Sequence, residues 1–226
     1  MGGLRSRIAG YLRTGRTLLK AGVSVRSILL YPIRRRLAIP RNQIDLKNGM
    51  SIVSPVDEPL LIMLEEIWIN RRYAMEDFKI CSGHTIVDVG AHVGVFTLWA
   101  ASADPGARVI AVEPSARMCE FLRRNISRNS LRNVTIVQCA CGGENGRAVL
   151  YSRGAELANT LSARDRTGKQ FPPLAHTEVV TLEALFQRLE VRSCDLLKLD
   201  CEGAEYDIVL KAPRNTLEKV QRIAME

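Results

Sequence analysis

Hydrophobic and polar positions alternate in two rhythms along the chain. TIVDV at 85–89 is a β-branched run that predicts a strand, and the spacing of Val95, Phe96, Leu98 and Trp99 predicts a helix over 94–103. ARVIAVEP predicts a second strand ending at Val112, followed by a helix from Ser115 to Asn129 with Ser115 as its cap. NVTIVQCA predicts a third strand, DLLKLD at 195–200 a fourth, and QRIAM at 221–225 a fifth. Thr181 caps a helix through Leu189, and another helix begins at Glu205 and reaches Lys211. Short strands are expected at 147–151 and 177–180, and the polar stretch 152–176 reads as a loop. Strands and helices in alternation predict an α/β fold, a doubly wound and mostly parallel sheet, with the ligand at the carboxyl ends of the strands.

Before residue 85 the rhythm is less regular. Leu60, Leu61, Leu64, Ile67 and Trp68 have helical spacing, which predicts one long helix or two short ones within 56–79. Residues 4–31 space Leu4, Ile8, Leu12, Leu18, Leu19, Val23, Ile28 and Leu29 between arginines, with Gly10, Gly15 and Gly22 weakening any helix. Pro32 and Pro40 are expected to bound the run Arg34 to Arg36.

Charge divides the chain at the same place. The net charge is +8, yet residues 1–41 hold ten Arg or Lys and no Asp or Glu, so the remainder is close to −2. This sets a basic, partly amphipathic segment over 1–55 apart from a ligand-binding domain over 56–226. Two readings of the basic segment stay open: peripheral contact with an anionic membrane through residues 1–41, or a helix packed on the domain with its charge in water. Nucleic acid is disfavoured, because no known nucleic-acid-binding motif accompanies the charge. The six cysteines, 81, 119, 139, 141, 194 and 201, contain no Cys-x-x-Cys pair, and there are three histidines, so no metal site is expected. Unpaired thiols suit a reducing, cytoplasmic setting, peripheral on a membrane if the basic segment docks there. No run of 18 apolar residues occurs to span a bilayer.

Three acidic clusters fall at the predicted strand ends. Asp88 closes the first strand, with Gly90 and Gly94 in the turn after it. A dinucleotide fingerprint starting at Gly90 would need glycine at 92 and 95, where His92 and Val95 stand, so the nicotinamide pattern fails. Gly90 and Gly94 still permit a tight turn against a ligand. Glu113 ends the second strand, where a carboxylate accepts both hydroxyls of a ribose. Asp200 and Glu202 follow the fourth strand, with Glu205 next to them at a helix start. They suit binding a hydroxyl substrate or taking its proton.

Together VDVGAHVGVF, AVEP and LLKLDCEGAEYDIVL, in that order, resemble the motifs of the FkbM family of Class I S-adenosylmethionine-dependent methyltransferases. NISRNSLRNV is similar to the segment before that family's third strand, and ANT at 158–160 to a short asparagine motif. The resemblance covers about residues 60–226 and implies a Rossmann-like sheet with S-adenosyl-L-methionine as cofactor. It implies that Asp88, Gly90, His92 and Gly94 shape the methionine end of the pocket, that Glu113 binds the ribose, and that Gln138, Cys139 and Ala140 lie near the adenine. His92 stands where the family has asparagine. Asp200, Glu202 and His92 are the catalytic candidates, for O-methylation of a hydroxyl on a sugar, polyketide or other small molecule or glycan. An inactive cofactor-binding module and an RNA methyltransferase are the alternatives. The resembled fold ends in a strand hairpin with no counterpart before Glu226, so the sheet is expected to lack it, with self-association through the exposed fifth-strand edge.

Overall fold

The computed structural model describes residues 18–19, 22–37, 39, 41–73, 77–152, 159–163 and 169–225. Residues 4–17 of the basic segment, Pro40 and Ala158 therefore lie outside the described residues. The chain forms two compact units, Met1–Ala74 and Met75–Glu226.

In the first unit, helix α1 (Val25–Arg36) precedes an antiparallel hairpin of β1 (Arg41–Asp45) and β2 (Ser51–Pro55), then α2 (Leu60–Leu64) and a π-helical turn, Glu65–Ile69. Helix α1 runs through Pro32, contrary to the expected boundary there. One proline removes a single helical N–H, and Leu37 still donates to the Ile33 carbonyl at 3.0 Å beyond it. The hairpin was not foreseen. Asn42 sits at an inward strand position and disguises the alternation; its amide donates to the carbonyls of Pro55, Val56 and Glu58 at 3.1–3.3 Å. Asn48–Gly49 supplies the turn, with Gly49 at φ +88°. The expected helix within 56–79 is reduced to α2 and the π turn, which end before Asn70.

The second unit is built on a five-stranded sheet. Its strands are β3 (Thr85–Val89), β4 (Arg108–Val112), β5 (Val134–Val137), β10 (Leu196–Leu199) and β11 (Ile223–Met225), in the order β11-β10-β3-β4-β5, all parallel. Helices α3 (Val95–Ala103), α4 (Ala116–Arg128), α5 (Leu182–Arg188), α6 (Glu205–Lys211) and α7 (Arg214–Leu217) connect and follow these strands. Ser115 and Thr181 cap α4 and α5 through their hydroxyls, as their positions predict. One face of the sheet joins Val87, Val89, Ile110, Val112, Leu197 and Leu199 to Leu182, Leu185 and Phe186 of α5. On the other face Ala111 packs against Leu122 of α4. Covering both faces makes the sheet doubly wound and Rossmann-like, as the alternation predicts.

A second, mixed sheet of order β6-β9-β7-β8 contains β6 (Ala140–Cys141), β7 (Gly146–Ser152), β8 (Asn159–Thr160) and β9 (Pro173–Val180). Here the stretch expected as a loop supplies β8 and the first half of β9. Pairing with β7 recruits Pro173 to His176, which carry no apolar alternation of their own.

Candidate active site

Register sets the site. Val89 pairs with Val112 and with Leu199, so β3, β4 and β10 end level with one another. Gly90, Glu113 and Asp200 come next in sequence and stand together at that rim. They line a cleft of about 540 Å³ of empty space, open to solvent, whose walls include Val89, Pro114, Ala140, Leu150 and Leu161. His92 and Glu202 also face it.

The loop after β3 is held from three sides. Gly90 and Ala91 both donate to the Val112 carbonyl at 3.0 Å. From below, Asn125 of α4 donates to the Val93 carbonyl at 2.8 Å. Across the loop, Glu113 accepts the His92 N–H at 2.8 Å, and its other oxygen accepts the Ser115 N–H at 2.8 Å. Glu113 thus joins the two loops while its carboxylate borders the cleft. Burial pushes its pKa up, against the opposing pull of His92 and of these N–H donors. His92 sits at φ +53°, a left-handed conformation in which asparagine and histidine are enriched.

Gly90 is required by a close approach within the protein. A Cβ there would stand 1.8 Å from the Asp200 carbonyl oxygen. Gly94, at φ +92°, starts α3, and its Cβ would stand 2.4 Å from Leu122 of α4.

Asp88 lies behind the cleft, not on it. It is fully buried, accepts from the Thr97 hydroxyl at 2.5 Å and pairs with Lys198 at 2.9 Å. Lys198 went unnoticed in the sequence. Its Nζ also donates to the Gly90 carbonyl at 2.9 Å and approaches Asp200 at 3.5 Å. Burial alone would depress this ammonium, but Asp88 and Asp200 outweigh it and hold the pKa above the ordinary lysine value. The signal was a lysine at an inward position of the apolar run LLKL, where only a buried acidic partner makes it tolerable.

The acidic loop after β10 has its own frame. Glu205 accepts the Cys201 N–H at 2.7 Å and the Gly203 N–H at 2.9 Å. Thr160 of β8 donates its hydroxyl to the Glu202 carbonyl at 3.0 Å. Glu202 is held at φ +59°, a strained conformation for a residue with a side chain. Beyond this loop a second, open groove of about 910 Å³, more polar than the first, shares Leu161, Cys201, Glu202 and Ala204 with it and adds Gly143, Thr160 and Ser162.

Of the residues implied near the adenine, Ala140 lines the cleft. Cys139 belongs to the core, and Gln138 is exposed, accepting from Arg123 at 3.3 Å. The six cysteines are unbridged. Burial raises the thiols of Cys119, Cys141 and Cys194 to about 12 and that of Cys139 to about 11, so they are not reactive thiolates. No helix among the described residues is long and apolar enough to cross a membrane.

Comparison with known proteins extends the same geometry. A family model described as the methyltransferase FkbM domain matches residues 88–226. A protein described as Methyltransferase 1, from Beauveria bassiana (strain ARSEF 2860), is 30% identical over 161 residues, 64% of this chain and 64% of that one. The chain therefore spans just under two thirds of that relative's length. The 31-O-demethyl-FK506 methyltransferase FkbM of Streptomyces tacrolimicus is 25% identical over 207 residues, covering 80% of this chain and 79% of its own. Among solved structures, a methyltransferase from Geobacter sulfurreducens aligns over 91% of this chain and 71% of its own, at 18% identity and a TM-score of 0.38.

Proposed function

The chain belongs to the FkbM family of S-adenosyl-L-methionine-dependent methyltransferases, and from that premise we propose that it methylates a hydroxyl oxygen of a small molecule or glycan. The carrying observation is the convergence of Gly90, Glu113 and Asp200 on one cleft. The cleft fits the cofactor on three counts. Its walls are apolar enough for a purine. Gly90 puts main chain, not a side chain, at its rim. Each Glu113 oxygen already accepts one N–H and has a second lone pair left for a ribose hydroxyl. In this reading Gly90 and His92 border the methionine end, and Ala140 lies beside the adenine. When bound, the cofactor supplies an electrophilic methyl group on a sulfonium.

The protein's own part is alignment and proton removal. The groove beyond Glu202 is open and more polar than the cleft, which suits an acceptor bearing hydroxyls. Asp200 is the preferred proton acceptor among Asp200, Glu202 and His92. Its side chain is one quarter exposed, borders the cleft and lies 3.5 Å from Lys198, which holds it in place. Glu202 orients the acceptor from the shared wall. The name of the Streptomyces relative, which specifies an O-demethyl acceptor, supports oxygen as the atom methylated.

Calorimetry with S-adenosylhomocysteine and with NAD tests the cofactor reading. Binding is expected to the first alone, and binding to NAD alone would end it. An acceptor screen with radiolabelled cofactor tests the oxygen reading, and label in RNA would refute it. Asp200→Asn is expected to hold S-adenosylhomocysteine as wild type does and to lose turnover. Unchanged turnover would remove Asp200 as the base.

A further inference from the structure

Helix α1 is turned the wrong way out for a helix of a water-soluble protein. Its buried positions are Ser27 and Tyr31, with Ile28 and Leu30 half-buried. Ser27 accepts the Asp45 N–H at 2.8 Å, and the Tyr31 hydroxyl donates to the Glu58 carbonyl at 3.2 Å. Ser24 accepts the Ser27 N–H at 3.2 Å at the start of the helix. These bonds fix the helix's rotation. They leave Val25, Leu29, Ile33 and Leu37 outward at four-residue spacing, 56, 63, 50 and 67% exposed. Burying such side chains is the usual fate of a helical stripe, so four in a row outside mark an interaction face. Arg26 and Arg36 are exposed on the same side.

We propose that the outward face of α1 docks on the surface of an anionic lipid bilayer. The occupant follows from charge. Helix α1 itself holds Arg26, Arg34, Arg35 and Arg36 and no acidic residue, so the charge along the helix is positive. A bilayer with acidic headgroups offers an acyl layer for Leu29 and Ile33 and phosphates for Arg26 and Arg36 at the depth to which arginine reaches. A second copy of the chain would bring the same arginines against themselves, as a two-fold interface requires. A nucleic acid would leave four aliphatic side chains without a surface to cover and would find no aromatic ring among them to stack on. At 12 residues the helix is too short to span a bilayer, so it lies along the surface.

Flotation of the whole chain tests this with vesicles of phosphatidylcholine alone and with about one third phosphatidylserine. The protein is expected to float with the acidic vesicles and not with the neutral ones, and to be released by salt. Leu29→Glu with Ile33→Glu is expected to lower the bound fraction about tenfold, with an unchanged melting temperature and unchanged S-adenosylhomocysteine affinity. Leu29→Trp, which adds a residue favoured at bilayer interfaces, is expected to raise binding. Any of four results would overturn the proposal. One is a wild type that stays in the dense fraction. Another is a double variant that floats like wild type. The third is retention at high salt. The last is a Leu29→Glu, Ile33→Glu effect seen only on self-association or on RNA binding.

Discussion

Glu113 spends both oxygens on the loops around it, and the cleft borders the same carboxylate, so its protonation state governs ligand and fold with opposite signs. Its folded pKa lies above the ordinary 4.5. The fold therefore binds this proton more tightly than the unfolded chain does. That contribution to stability is complete below the ordinary carboxylate pKa and is lost as the pH rises through the folded value. Cofactor binding runs the other way, because ribose hydroxyls donate to the anion. S-Adenosylhomocysteine affinity is expected to fall as the pH is lowered, starting above pH 4.5, and Glu113→Gln should flatten the curve. Glu113→Ala should weaken binding by about 1–3 kcal/mol, and affinity equal to wild type by calorimetry would remove Glu113 from the ribose. Lys198 makes a second case. Lys198→Met strands the buried Asp88 and should cost about 3–5 kcal/mol in denaturant titration. Adding Asp88→Asn should recover much of that loss, since the paired replacement leaves no buried charge. A double variant as unstable as the single one would show that the ion pair is not the reason.

At the scale of elements, the loop after β10 depends on a strand that the sequence scarcely announces. Thr160 of β8 reaches the Glu202 carbonyl, and Glu205 closes the loop from its other end. Thr160→Val should cost about 1 kcal/mol of stability and raise the acceptor KM, while leaving S-adenosylhomocysteine affinity alone. A change confined to cofactor affinity would contradict this division. The five parallel strands and the helices α3 to α6 were legible because apolar runs alternated with 3.6-residue spacing, with Ser115 and Thr181 marking the starts of α4 and α5. The strand ends Glu113 and Asp200 were legible for the same reason, since a buried acid after an apolar run has few roles. What stayed hidden depended on partners far away in sequence. β9 is strand because β7 is beside it, β1 hides its alternation behind Asn42, and Lys198 has meaning only beside Asp88, 110 positions earlier. Asp88 itself looks like a pocket residue in sequence, and only the register of β3 with β10 turns it towards Lys198.

On the scale of the molecule, the cleft belongs wholly to Met75–Glu226 and the outward helix to Met1–Ala74. Residues 75–226 produced alone are expected to bind S-adenosylhomocysteine within about threefold of the full chain, and to lose attraction to acidic vesicles. Failure of that fragment to bind the cofactor analogue in calorimetry would mean that the first unit contributes to the site. The contact between Gly90 and Asp200 reaches further than either residue. A Cβ on residue 90 would stand 1.8 Å from the Asp200 carbonyl oxygen, so the loop after β3 carries no side chain there without displacing the loop after β10. Any coupling carried by this contact between ligands on the two loops is the same factor in both directions. An acceptor that tightens the grip on the spent cofactor will slow its departure by that measure. The absence of a single methyl group on residue 90 is therefore what lets the two loops meet.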